Sequence, residues 1–291
     1  MQATSHEWSF PFAAHLGFRS ADAPLFAHSA RSADPLDQIE FAADLGFAGM
    51  QCVFATGYPV GIQNAIGAAL RQRNLRAGCM LYASFQIVAR PFPGSREATA
   101  RFEFLSHITN AIEVAERIGC KQIAVLAAAD PSRSLDEQRE VLTERLSEVI
   151  ELAQRRQVQL CLEALSSPVL PPMILQRLDQ AVSVIEALKS PALRLIYDTA
   201  HVHTLEGDAI EPLERVFEHI GVIQLADVPG RFEPGSGRID FDSFLNRVRR
   251  LGFTGLIELE HNWSMPGPEG EQTGLQRLRT LDDRLSLSAL A

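Results

Sequence analysis

The sequence predicts one α/β domain over residues 1–291, a single closed (β/α)8 TIM barrel. Three observations lead there. Short apolar runs alternate from end to end with longer runs of helical period, the pattern of repeated βα units rather than of an all-α or all-β domain. The apolar runs number eight. Gly46, Gly119 and Gly252 each close a helical run just ahead of a predicted strand, where helices commonly end in a left-handed residue. A doubly wound open sheet is the competing architecture, and the absence of a G-x-G-x-x-G after the first strand weighs against it.

In chain order the predicted strands are FAAHLGF (12–18), GMQCVF (49–54), RAGCMLYA (76–83), QIAVLAA (122–128), VQLCLEA (158–164), LRLIYD (193–198), GVIQLA (221–226) and GLIELE (255–260). Amphipathic segments run between them, among them 35–46, 96–119 and 135–156. No Pro/Ser/Gly-rich linker divides the chain. The longer loops, 84–95, 165–173 and 227–240, all follow strands, at the end of a barrel where chemistry is kept.

Composition narrows the function classes. The 46% hydrophobic and 22% charged content is that of a soluble globular protein, and MQATSHEWSFPFAAHLGF shows no positive n-region followed by an apolar core, so the cytoplasm is the expected location. With Lys+Arg 27 against Asp+Glu 36, the net charge of -9 repels polyanions, and no basic run offsets it; nucleic acid is not an expected partner. Nothing approaches the ~20 consecutive apolar residues of a membrane span. Cys52, Cys79, Cys120 and Cys161 form no C-x-x-C pair and read as small buried hydrophobes. Oligomeric state is left open, homo-oligomers included.

The polar residues at the strand ends carry the functional signal. Gln224 interrupts the seventh apolar run on the same face as Val222 and Ala226, and a buried amide without partners is costly. Glu163 ends the fifth strand, Asp198 the sixth and Glu260 the eighth, so four successive strands bring an oxygen to one end of the barrel. A single acid there reads equally well as a helix cap. Four oxygens together invite a cation, and a hard donor set favours Mg²⁺ or Mn²⁺, with Zn²⁺ or Co²⁺ as alternatives. Gln224 would hold such an ion without adding negative charge.

The segments CLEAL, YDTAHVHTLEGD, VIQLADVPGRFEPGSGRIDF and GFTGLIELEH resemble the second half of the hydroxypyruvate isomerase family, within the xylose-isomerase-like barrels of sugar isomerases and epimerases. The resemblance covers residues 160–262 in sequence and the first half in architecture. It implies that Glu163, Asp198, Gln224 and Glu260 bind a divalent metal, with Glu163 and Glu260 also the acid/base pair. It further implies that His201 lies beside the substrate oxygens, with Arg231 and Glu233 at the mouth of the site. Apurinic-site endonucleases of the same superfamily share the Asp-Thr-x-His pattern, but use a His-rich multi-zinc site that this chain, with Gln224 and an acidic balance, does not match. The chain also departs from the family at MLYASF, where a His is usual, at ALSSPVLPP, where an Asn and an Asp are usual, and at Glu258, where a small residue is usual.

The chemistry explains such a site. Moving a carbonyl between adjacent carbons requires an enediolate, and a metal with two facing carboxylates can stabilise it and pass the protons. The expected function is therefore a metal-dependent isomerase of a small hydroxy-carbonyl acid, hydroxypyruvate-like or keto-tetronate-like. Epimerisation or dehydration of a sugar or inositol derivative on the same site is one alternative, and a non-catalytic sugar-acid-binding barrel is another. Arg231, in a Pro- and Gly-rich loop, reads either as a solvated cation or as a fork for a substrate carboxylate, oriented by Glu233. His203 reads as an ordinary loop or helix-start residue, and Glu258 as neutral or paired with a cation such as Arg194.

Overall fold

The computed structural model describes residues 6–165 and 170–288, so residues 166–169 of the predicted 165–173 loop lie outside the described residues. Its strands are β1 (Phe12–His15), β2 (Gly49–Gln51), β3 (Arg76–Ala77), β4 (Met80–Leu81), β5 (Gln122–Val125), β6 (Gln159–Leu162), β7 (Leu193–Asp198), β8 (Ile220–Gln224) and β9 (Ile257–Glu258). All pairings between them are parallel. The sheet order β3-β2-β1-β9-β8-β7-β6-β5-β4 begins and ends on the two halves of the third predicted strand. The sheet therefore comes round on itself as the barrel that the eight apolar runs predict.

The third strand is broken for a reason that lies across the barrel. Cys79 turns its N–H to Glu258 Oε1 instead of into the ladder. Gly78 makes room for this, since a Cβ there would lie 2.6 Å from the same oxygen. On either side the ladder resumes, with Gly78 N–H on Met50 O and Leu81 N–H on Val53 O. A buried carboxyl therefore takes the backbone donor that the sheet loses.

Helices cover the outside. They include α1 (Pro35–Asp44), α2 (Val60–Gln72), α3 (Phe85–Val88), α4 (Ala98–Ile118), α5 (Leu135–Arg155), α6 (Leu178–Leu188), α7 (Thr199–Glu206), α8 (Glu211–Val216), α9 (Phe241–Leu251) and α10 (Gly267–Ser288). Asp34 caps α1 by accepting from Leu36 N–H, with Pro35 in the first turn. Gly46, Gly119 and Gly252 take φ of 83°, 81° and 79°, the left-handed endings expected of them. The long amphipathic runs bury their apolar stripe, as α4 does with Phe104, Ile108, Ala111 and Ala115.

Helix α10 had no counterpart among the predicted segments, and its acids tie down the start of the chain. Asp282 accepts from Ser9 N–H at 2.9 Å and from its hydroxyl at 2.6 Å. Glu271 accepts from His28 and Ser29 N–H at 2.9 and 2.6 Å. All four cysteines are free and buried, and burial first, then one another's proximity and that of Glu258, pushes the Cys52, Cys79 and Cys161 thiols upward. They are packing groups.

Candidate functional site

Asp198 is both the last residue of β7 and the N-cap of α7, its Oδ1 accepting from His201 N–H at 2.9 Å. The cap reading of this acid is thus satisfied. The segment after it is helical rather than extended, and residues two apart on a helix do not share a face. His201 accordingly turns inward, its Nε2 3.8 Å from Glu163 Oε1 and 3.2 Å from Arg231 Nη1. His203 belongs to the body of the helix.

Gln224 is set level with Asp198 by an irregularity in the ladder. Leu195 pairs with Ile220 but Ile196 pairs with Val222, so Gly221 is skipped and Asp198 stands opposite Gln224. Gly221 lies where a Cβ would meet the Arg194 side chain at 2.7 Å. On the next strand Gln224 stands opposite Glu258. The amide meets two carboxyls, donating from Nε2 to Glu258 Oε2 at 3.2 Å and to Glu260 Oε2 at 2.6 Å. Its Oε1 is buried without a hydrogen-bond partner.

Glu260 lies two residues beyond β9, where the chain bends and its N–H reaches Glu258 O. Its carboxylate is crowded with donors. Besides Gln224, Gln51 Nε2 donates to Oε2 at 2.5 Å, and Arg231 Nη2 donates to Oε1 at 2.6 Å. Gln51 ends β2 and is buried, and its own Oε1 has no partner. Sequence reading missed it, although a polar residue closing the apolar run GMQ carries the same signal as Gln224.

Arg231 departs most from the solvated-cation reading. Its guanidinium forks onto Asp198, Nη1 to Oδ1 at 3.1 Å and Nη2 to Oδ2 at 2.7 Å, while Nη2 also serves Glu260. Phe18 lies 5.3 Å from the guanidinium carbon, ring to cation. The loop holding Arg231 is organised by Asp227, which accepts from the N–H groups of Val228, Gly235, Gly237, Arg238 and Ile239.

Glu233 corrects an expectation. It does not orient Arg231: its carboxylate accepts from Ser264 N–H and Oγ, each at 2.7 Å, and pairs with Arg277 of α10. With its oxygens taken by these donors, it fastens the loop to the C-terminal helix. Glu258 likewise has no Arg194 partner, because that guanidinium donates to Glu218 O at 3.2 Å. Burial raises the Glu258 carboxyl to about 8, which favours its neutral form.

Electrostatics separate the acids. Burial, and after it the charges of Asp198 and Glu260, pushes the Glu163 carboxyl well above the usual carboxylate range. Its Oε1 has no hydrogen-bond partner. Burial would also raise Asp198, but the Arg231 guanidinium and His201 hold it below its ordinary value. Glu260 is raised by burial despite Arg231.

Among the described residues, Glu163, Asp198 and His201 each offer a ligand atom, and these atoms all lie within 4.8 Å of one another. The expected quartet had Gln224 and Glu260 in place of His201. The partnerless oxygens of Glu163 and Gln224 and the carboxylate-rich donor set fit a divalent ion.

Two buried histidines adjoin this wall, His15 on the first strand and His261 just past Glu260. His15, at the end of β1, accepts Gly17 N–H on Nδ1 at 3.0 Å and donates from Nε2 to His261 O at 3.1 Å, which fixes one neutral tautomer. Burial lowers His15 to about 4 and His261 to about 3.

Over 252 residues the chain is 25% identical to the 2-oxo-tetronate isomerase of Pectobacterium atrosepticum, covering 86% of this chain and 91% of the relative. It is 27% identical to the hydroxypyruvate isomerase of Escherichia coli, covering 78% and 88% respectively. In fold it is similar to an AP endonuclease of family 2 from Brucella melitensis, with a TM-score of 0.77 at 18% identity over 92% of this chain and 97% of that one. At that identity the likeness concerns the fold alone. Residues 39–281 match the family model for the xylose isomerase-like TIM barrel, and the chain belongs to that family.

Proposed function

We propose that the protein is a divalent-metal-dependent isomerase of a small hydroxy-carbonyl acid, hydroxypyruvate-like or 2-oxo-tetronate-like. The observation that carries this reading is the gathering of the buried Glu163 and the part-buried Glu260 with Asp198 and Gln224 from consecutive strand ends, joined by His201 and Arg231. The similarity to relatives named as isomerases of those two acids supports the substrate class.

In the proposed reaction one glutamate removes the proton from the carbon bearing the hydroxyl, leaving an enediolate. The other returns a proton to the former carbonyl carbon, while the hydroxyl proton passes between the two oxygens. Glu163 suits the second role, because burial and neighbouring charge favour its protonated form, and Glu260, an acceptor for the amides of Gln51 and Gln224, suits the first. Glu260 is aimed by Gln51 and Gln224, so its position is set before substrate arrives. Glu163, Asp198, Gln224, Glu260 and His201 are the groups that would hold the ion. When bound, a divalent ion of the Mg²⁺ or Mn²⁺ type supplies Lewis-acid stabilisation of the developing charge. Arg231 binds the substrate carboxylate.

The test is turnover of hydroxypyruvate, a 2-oxo-tetronate and a neutral ketose by chelator-stripped protein with Mg²⁺ or Mn²⁺ restored, in wild type and Arg231→Ala. The variant should raise KM for the acids by roughly tenfold to a hundredfold, the scale of one charged hydrogen bond, and leave the ketose untouched. An equal penalty on both classes would move the protein to the neutral-sugar epimerase reading. No turnover of either acid with either metal would remove the isomerase.

A further inference from the structure

We propose that Arg231 and the divalent ion are alternative occupants of one site, so that the arriving ion releases the guanidinium to bind the substrate carboxylate. This rests on the metal-dependent reading above and adds which group leaves. Four observations on the site converge on it.

Among the described residues the guanidinium is the sole hydrogen-bond donor to Asp198 Oδ2, at 2.7 Å, and to Glu260 Oε1, at 2.6 Å, and it also reaches Asp198 Oδ1 at 3.1 Å. The other two oxygens keep partners from the frame when the guanidinium leaves: Asp198 Oδ1 has His201 N–H at 2.9 Å, and Glu260 Oε2 has the amides of Gln51 and Gln224. A backbone N–H at a helix start cannot withdraw, and the two amides end barrel strands. Arg231 alone among these donors comes from a loop side chain, so it is the cation that can be exchanged.

The site also cannot hold both cations without cost. A guanidinium and a divalent ion on the same carboxylate oxygens repel at close range in a buried setting, where charges are weakly screened. Meanwhile Gln224 Oε1 and Glu163 Oε1 are buried without hydrogen bonds, a deficit that Arg231 leaves uncorrected and an ion would remove.

The exchange is confined to a side chain. The loop backbone is held by the five N–H groups on Asp227, by Asp227 N–H on Phe232 O at 2.8 Å and by Asn262 N–H on Arg231 O at 3.0 Å. Arg231 therefore moves by rotation of its own stem, with the Phe18 ring at 5.3 Å as a surface on which the guanidinium can rest.

A linkage follows. A carboxylate that draws Arg231 away uncovers Asp198 and Glu260 for the ion, and by reciprocity the ion strengthens carboxylate binding. A substrate without a carboxylate would gain nothing from this coupling.

The test is titration of Mn²⁺ alone into chelator-stripped wild type, Arg231→Met and Arg231→Lys, following free Mn²⁺ by its electron paramagnetic resonance signal. Arg231→Met should bind Mn²⁺ at least tenfold more tightly than wild type, with Arg231→Lys between them. Glycerate should tighten Mn²⁺ binding more in wild type than in Arg231→Met. If wild type binds Mn²⁺ and Arg231→Met binds it equally or more weakly, the shared site is refuted while the metal-dependent reading stands; an equal glycerate effect in both refutes the release step. If neither protein takes up Mn²⁺, both readings fall. Should Arg231→Met not fold, Mg²⁺ titration of ¹⁵N-labelled wild type decides: the Arg231 guanidinium signal, assigned by its loss in Arg231→Lys, should shift as Mg²⁺ binds, and a signal unmoved by bound Mg²⁺ overturns the proposal.

Discussion

The two halves of the barrel mouth are built differently. At β1 and β2 the strand ends bring neutral groups to the site, His15 held as one tautomer and Gln51 as an amide donor. From β6 to β9 they bring Glu163, Asp198, Gln224 and Glu260, with Glu258 one step deeper. The difference teaches that charge is concentrated on one arc while the opposite arc supplies donors that aim it. Glu260 shows the result, taking one amide from each half on the same oxygen. Among the described residues Glu163 has no such clamp, and its Oε1 lacks a hydrogen bond.

The largest expected effect sharpens that contrast within the charged arc. Glu163→Gln and Glu260→Gln should each lower kcat by ~10²- to 10⁴-fold, the range for loss of a positioned acid or base. Their stabilities should diverge. Glu163→Gln removes a buried group that resists ionisation and should leave unfolding free energy unchanged or higher. Glu260→Gln places an amide N–H against donors from Gln51, Gln224 or Arg231 and should lose about 1–3 kcal/mol. Steady-state kinetics with urea unfolding of both variants checks this, and equal stability losses would erase the distinction between a clamped and an unclamped glutamate.

The next effect concerns the neutral arc. His15 is neutral in the fold with its ordinary value of 6.5 lowered to about 4, so the unfolded chain binds its proton first as pH falls. Its stabilising contribution is complete above pH 6.5 and is lost as pH drops from there toward 4, amounting to roughly 3 kcal/mol. His15→Gln should flatten the fall in urea stability between pH 7 and 4. An unchanged slope in the variant would show that His15 is not the group responsible.

The smallest expected effect probes the bridge between the arcs. Gln51→Leu removes one donor to Glu260 together with an amide oxygen that has no partner, so stability should change by less than about 1 kcal/mol. Catalysis should fall about tenfold in kcat with KM little changed, as a misaimed Glu260 predicts. A loss as large as that of Glu163→Gln would mean that the neutral arc takes part in the chemistry and does not merely aim it.

Much of this was legible in the chain. LRLIYD is a strand over the predicted residues, and Gly46, Gly119 and Gly252 end helices where expected, because apolar periodicity and left-handed endings are properties of neighbouring residues. Glu163, Asp198, Gln224 and Glu260 could be singled out for the same reason: each closes an apolar run, and closing a run in a βα barrel places a side chain at one end of it. What the sequence by itself determined is thus the repeat, the barrel and the ring of strand-end oxygens.

The tertiary structure decided which of those oxygens are paired, and with what. Arg231 reaches back 33 residues to Asp198, Gln51 reaches 209 residues to Glu260, and the Cys79 N–H meets Glu258 across 179. No local pattern encodes such distances. Glu233 stands two residues from Arg231 yet serves Arg277, because a loop backbone can send adjacent side chains in unrelated directions. The helix at Thr199–Glu206 turned His201 inward for a related reason, since capping by Asp198 outweighed the extended reading of the H-x-H segment. Side chains on strands and helices inherit their direction from a repeating backbone, whereas a loop side chain takes its direction from whatever charge the fold has brought within reach.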